Sequence, residues 1–212
     1  MATSTNRDWL IPPALLLLSA VPIAAGTFRL MQLSGGTPIT EANARFFSAP
    51  LPVIIHIISV TLFSVLGAFQ FVGPIRTRWP MWHRNAGKLL VLAGLASALS
   101  GLWMTQFYAN PPGDGIVLYY IRLVVGAGMT LSIIFGWSAI LRGDVTTHSA
   151  WMIRAYALGL GAGTQVFTHL PFILMHIKWD EPLRAFLMGA GWGINWLFAE
   201  WIIRGRKRAA NR

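Results

Sequence analysis

Five histidines and a small set of arginines carry what chemistry this 212-residue chain offers. There is no cysteine, which excludes disulfides, thiolate metal ligands, iron–sulfur clusters and covalently attached c-type haem. Histidine is the main soft ligand left. Depth along the apolar segments sorts four of the five into two pairs. His83 and His148 each open a segment after an arginine-bearing polar loop, at one boundary, while His56 and His169 lie just inside the other. Two imidazoles from facing helices supply the axial nitrogens of a b-type haem, or part of a histidine metal site of which His83 and His148 are the candidate ligands. The propionates of haem b call for guanidinium partners. Arg122 is available near the His56 and His169 pair, and Arg84, Lys88 and Arg154 near the His83 and His148 pair. The plainer role of a membrane histidine is a hydrogen bond to a backbone carbonyl or a place among lipid headgroups. Distance argues against one continuous electron wire, because His148 and His169 are 21 positions apart, roughly 31 Å along a helix.

Three of the histidines fall in residues 146–177, TTHSAWMIRAYALGLGAGTQVFTHLPFILMHI. At about 100° per residue, His148, Trp151, Arg154, Gln165, His169 and His176 occupy roughly a 120° arc of one ideal helix. Lipid satisfies neither an imidazole nor a guanidinium, so this face is expected to turn into a helix bundle.

The composition sets that bundle in a membrane. The chain is 55% hydrophobic and 11% charged, with a mean hydropathy of +0.56, which belongs to a polytopic membrane protein. The net charge of +10 does not signal nucleic acid, because the basic residues sit at the ends of apolar segments rather than on a soluble amphipathic face. Six apolar segments can be drawn, at 10–32, 51–73, 88–109, 116–141, 149–177 and 183–203, each near the ~20 residues that span a bilayer. The connections are short apart from GGTPITEANARFFSAPLP and the turn-rich NPPGDG, so residues 1–212 read as a single integral membrane domain. The first segment is expected to be a span and not a cleaved leader, since Arg7 is offset by Asp8.

Orientation follows from the basic residues. Twelve of the 17 Lys and Arg fall on the side of the N-terminus, and five, Arg29, Arg45, Arg122, Lys178 and Arg184, on the other. The positive-inside rule then places both termini in the cytoplasm, the N-in/C-in topology of an even number of spans. Trp79, Trp82, Trp151 and Trp201 fall near the inner boundary and Trp103 and Trp179 near the outer, as an aromatic belt requires. Gly87, Gly94 and Gly101, the cluster Gly159, Gly161 and Gly163, and Gly189 with Gly193 mark expected close approaches between helices.

A faint internal repeat links GPIRTRWPMWHRNAGK to AILRGDVTTHSAWMIR. Each has an arginine, a polar loop and then a histidine at the start of a helix, so the third and fifth spans run parallel with His83 and His148 at one depth. Arg154 and Glu200, each about a turn inside the cytoplasmic boundary, predict an interhelical salt bridge. The rival is a local pair of Glu200 with Arg204. Asn195 and Gln70 are expected to hydrogen-bond between helices.

The segments GAFQFVGPIRTRWPMWHRNAGKLLVLAGLASALSGLWM and ILRGDVTTHSAWMIRAYAL resemble a bacterial family of predicted integral membrane proteins, a domain of unknown function marked by HRxxG and HxxWMxRAYAL. The resemblance runs from about His56 to about Gln165 and singles out His83, Arg84, Gly87, His148, Trp151, Met152 and Arg154. The family often carries an arginine where this chain has Thr164, Gln165 and Val166. The bundle is also distantly similar to two-haem cytochrome b and transmembrane ferric reductase proteins, although the fourth span lacks the histidine usual there. That likeness implies haem b and electron transfer by fold-level analogy.

The expectation is therefore an all-α, six-span bundle in a bacterial inner membrane. Its first functional reading is a redox or electron-transfer protein binding haem or metal through paired histidines, with lipid and a quinone or larger membrane complex as partners. A non-enzymatic accessory or assembly subunit of a respiratory or photosynthetic complex is the alternative. A transporter ranks third, because no span is expected to break mid-membrane and no acid sits at the midplane.

Overall fold

Proline and glycine punctuate the apolar segments and set where the helices begin and end. The computed structural model describes residues 6–111 and 113–210, with side chains from residue 8 to residue 209. Arg212, Pro112 of the NPPGDG turn and the side chain of Arg7 lie outside that description. A 3-10 turn, Asn6–Leu10, leads into α1, Ile11–Ser34. Then come α2, Ala44–Ser48, α3, Pro50–Phe69, α4, Gly73–Arg78, and α5, Pro80–Phe107. They are followed by α6, Ile116–Leu141, α7, Val145–Gly159, α8, Gly161–Leu174, and α9, Glu181–Ala210. Helices α1, α3, α4 and α5 all open with proline in the first two positions, where the missing N–H has no intrahelical acceptor to lose. The turn after α6 passes through Gly143 at φ 77°, a left-handed conformation that glycine adopts without strain. Asp144 then caps α7 by accepting from the Thr147 N–H at 2.9 Å, and so fixes the start of the helix that bears His148.

Two ends of the bundle can be traced from contacts. At the terminal end, Gly73 N–H donates to Asp8, Arg206 donates to Ser149, and Arg206 is within electrostatic reach of Arg76 and Asp8. At the distal end, Tyr108 donates to the Ala49 carbonyl at 2.6 Å, the Arg29 and Arg45 guanidiniums lie over the Phe46 ring, and Asp114 bridges Arg122 and Arg184 at 2.6 and 2.5 Å. The chain runs between these ends six times, through α1, α3, α5, α6, the α7–α8 pair and α9. Four of the five basic residues that the charge count assigns to one side thus gather at one end.

Among the described residues the structure is helical with no strand. Four helical stretches, Asp8–Ser34, Pro50–Phe69, Pro80–Phe107 and Ile116–Leu141, are long and apolar enough to cross a membrane, and the α7–α8 pair makes a fifth if counted as one. The protein is a multi-pass membrane protein by this measure. The sixth expected span lies in α9, whose charges, asparagine and glycines dilute its apolar content below that of the others. Two boundaries also move. The second apolar segment ends as a helix at Phe69, Gln70 to Val72 form a turn and Gly73 opens the separate α4, and α5 starts eight residues before the apolar run, so that His83 is helical.

The largest departure concerns residues 146–177, which are two helices meeting at 44° and not one. The break falls at Leu160 between Gly159 and Gly161. A Cβ at Gly161 would collide with the Trp192 ring, and one at Gly163 with the Leu18 carbonyl oxygen. Backbone contact with α1 and ring contact with α9 are what these glycines permit. The single 120° polar arc is lost as a consequence, and His176 falls beyond α8 at φ 54°.

The core sits where α3, α5, α6 and α7 meet, around Phe63, Leu90, Ile133, Ala155 and Tyr156. Tyr156 places its ring against Phe63 and Phe71 and donates its hydroxyl to the Ser64 carbonyl at 2.7 Å. Leu17, Phe28 and Met31 of α1 and Val124 and Ile134 of α6 are exposed, as side chains facing lipid would be.

Candidate functional site

At the terminal end, α5, α6 and α7 converge on two histidines. His148 lies four residues after the Asp144 cap, and its Nδ1–H donates to the Gly136 carbonyl of α6 at 2.8 Å. That bond leaves Nε2 with its lone pair, the form that ligates a metal or accepts a proton. His83 lies within electrostatic reach of His148, with Arg76 and Arg84 nearby. Its Nδ1 is buried and has no hydrogen-bond partner among the described residues, and the same is true of Gln70 Nε2. Gln70 faces α5 near Gly87, one helical turn from His83 on the same face. His83 thus combines an orphaned nitrogen with a second imidazole within electrostatic reach. Each buried orphan costs about 1–3 kcal/mol unless something outside the chain satisfies it. Gln70 does not make the interhelical bond expected of its amide nitrogen. The reason is positional, because it follows α3 as that helix ends and faces a glycine.

Arg154 is engaged otherwise. It reaches Glu200 of α9 in two-point fashion, Nε to Oε1 at 2.5 Å and Nη2 to Oε2 at 3.1 Å, and its guanidinium lies over the Trp151 ring. This is the interhelical alternative of the two sequence readings. A planar fork matches a carboxylate better than the longer local reach from Arg204. Asn195 behaves as expected, donating to the Ala157 carbonyl and accepting from Thr164.

Toward the distal end lies a cavity of about 550 Å³. His56 is in its wall, with Nδ1–H donated to the Ser97 carbonyl at 2.9 Å and Ser100 Oγ at 3.2 Å. Arg45 and Arg122 line it where it reaches the exposed residues Ala109 and Asn110. The broken helix also contributes, through Leu158, Gly159, Leu160, Ala162 and Gly163. Arg122 is committed to Asp114. Arg45 makes no salt bridge among the described residues, and burial, opposed by Asp114 and reinforced by Arg122 and Arg29, holds its pKa below the usual arginine value.

His169 does not line this cavity. Its Nδ1–H donates to the Gln165 carbonyl at 2.7 Å, and its ring meets Trp179 edge-on. The structure thus joins His56 to Arg122 through a shared void and gives His169 other neighbours. Among the described residues no group of three or more His, Asp or Glu side chains gathers to hold a metal ion, so a metal at the histidines would rest on two protein ligands. The cavity, with Arg45 in its wall, is what sequence reasoning missed. The available hint was the glycine cluster at 159–163, read as helix contact alone.

The segments HRxxG and HxxWMxRAYAL, whose histidines both lie at the terminal end, both fall inside a family match. No curated protein and no solved structure is significantly similar to the chain. Residues 53–203, well over half of the sequence, match the family described as "Predicted membrane protein (DUF2306)", and the chain belongs to that family.

Proposed function

We propose that the protein holds a b-type haem between His83 and His148 and serves in membrane electron transfer. What supports this reading is that the two imidazoles lie within electrostatic reach of each other, one with its Nδ1 taken by the Gly136 carbonyl and the other with a buried, unpartnered Nδ1. A haem needs only two protein nitrogens, and it would supply one-electron chemistry at this end of the bundle. The chain's own residues do the positioning. The Gly136 carbonyl fixes the tautomer and ring plane of His148, as a partner behind a ligating histidine does. Arg76 and Arg84, near His83, would face propionates, whereas Arg154 already has its carboxylate.

The proposal includes six spans with both termini cytoplasmic in a bacterial inner membrane. It is supported by the six end-to-end passes and by the twelve-to-five division of basic residues. Under the positive-inside rule the His83 and His148 end then faces the cytoplasm.

The test is a reduced-minus-oxidised visible spectrum of the detergent-purified protein from haem-replete cells. Haem bands are expected, each of His83→Ala and His148→Ala should remove them, and the double variant should look no worse than either single, because two ligands of one centre act as a unit. His56→Ala should keep them. Absence of bands in the wild type, or bands that survive both single changes, overturns the reading.

A further inference from the structure

The distal cavity has no role in that function, and its chemistry is of a different kind. Its volume of about 550 Å³ lies within the roughly 300–1,000 Å³ of small-molecule pockets. Aliphatic side chains such as Ile57, Val60 and Val125 make up much of its wall. Charge is confined to one end, where Arg45 and Arg122 line it and no acid does. Asp114 is shared between Arg122 and Arg184, while Arg29 and Arg45 both sit over one phenyl ring with no carboxylate partner among the described residues. Glu181 packs near Gly115 and not on the cavity. Cationic groups in excess of anions at the mouth of an apolar void match a molecule with an oxyanion head and an apolar body.

The break in the fifth pass adds a separate observation. Non-helical backbone at membrane depth is tolerated where it lines a cavity or is buried in protein, and discontinuous helices are where membrane proteins place bound substrates. Here the break at Leu160 opens on the same void.

We propose that this cavity binds a single-chain amphipathic anion, its carboxylate or phosphate head on Arg45 and Arg122 and its chain along the apolar wall beside the α7–α8 break. The size favours one acyl or isoprenyl chain over a two-chain phospholipid. His56 stands in the wall with its Nδ1 already bonded, so that Nε2 accepts a hydrogen bond from a hydroxyl or a protonated head. This site is independent of the haem reading.

The experiment measures binding of oleate, lysophosphatidate and oleyl alcohol to the purified, delipidated protein by displacement of a fluorescent fatty acid. At least one of the two anions should bind tenfold or more tightly than the alcohol, and which does so assigns the head as carboxylate or phosphate. Arg45→Gln should remove most of that preference and leave alcohol binding unchanged, and Arg45→Lys should restore part of it. Val60→Phe, which fills the void, should abolish binding of all three, with Arg45→Gln as the informative variant if Val60→Phe fails to fold. His83→Ala should change none of these values, which separates this outcome from that of the haem test. Equal binding of anion and alcohol, or unchanged binding in a folded Val60→Phe protein, overturns the proposal. So does a haem band that depends on His56, which would assign the void to a tetrapyrrole.

Discussion

The two ends of this bundle use the same residue types to opposite effect. At the terminal end, His83 and Gln70 leave buried polar atoms unsatisfied, with His148 in electrostatic reach of His83, and Arg154 is locked to Glu200. At the distal end two arginines line one end of an apolar void, and the histidine in its wall is satisfied by Ser97 and Ser100. A buried orphan calls for a ligand that completes a hydrogen-bond or coordination shell. A void with cations at its rim calls for one that fills space and carries charge. The contrast shows that a histidine count alone says little about function; what matters is which ring nitrogen the backbone has already taken.

The comparison can be broken first at the helix break. Gly163→Leu should give the largest effect, because its Cβ would meet the Leu18 carbonyl, a backbone atom that cannot rotate away. Loss of folded protein, or a fall in thermal stability of about 3 kcal/mol or more, is expected from such overpacking. Gly193→Leu is the control, with no atom within 4 Å of the new Cβ, and it should be close to neutral. Equal effects at the two positions would show that the break is not held by the α1 contact.

A smaller effect sharpens the terminal end. Glu200→Ala should cost about 3–5 kcal/mol by leaving Arg154 charged and largely buried, at side-chain exposures of 18% and 20% for the pair, whereas Arg154→Met with Glu200→Leu together should cost much less. The visible spectrum should be unchanged in the double variant, since this pair is structural. Strict additivity in the thermal cycle would deny the coupling.

The smallest effect is at Asp144. Hydrogen bonds from the Thr147 side chain and backbone hold its carboxyl below the usual value, so its contribution is present above the ordinary carboxylate pKa of about 4 and is lost as pH falls through the lower folded value. Protection of the Thr147 and His148 amides, measured against their intrinsic exchange at each pH, should therefore fall in acid. Asp144→Asn, which caps without titrating, should flatten that dependence, and the same acid dependence in both proteins would remove the cap from the account.

Much of the architecture was legible because lipid imposes strong local rules. Apolar runs of spanning length must be helices, and α6 coincides with its expected boundaries, residues 116–141. The pairing of Arg154 with Glu200 was legible because two charges a turn inside the same boundary have few other partners. The repeat of loop and helix start predicts His83 and His148 at one end, where the two lie within electrostatic reach of each other. The break at Leu160 was not legible, because glycines mark close approach and kink alike, and only the position of Leu18 and Trp192 decides which. Gly189 and Gly193 show the same ambiguity, the first touching Ile121 and the second facing open space.

Residue type and order alone determined that this chain is an all-helical membrane protein without cysteine chemistry, that basic residues divide unequally between its ends, and that two histidines share one depth. These follow from terms that act locally, namely the cost of an unpaired backbone group in lipid and the period of the helix. Tertiary structure decided which imidazole nitrogen remains free, that Arg122 serves Asp114, that His169 turns away from His56, and that the helices leave a void beside the α7–α8 break. Those outcomes depend on rotation and crossing of helices separated by tens of residues, and no local pattern specifies them, since lipid accepts any apolar face and packing alone chooses among them.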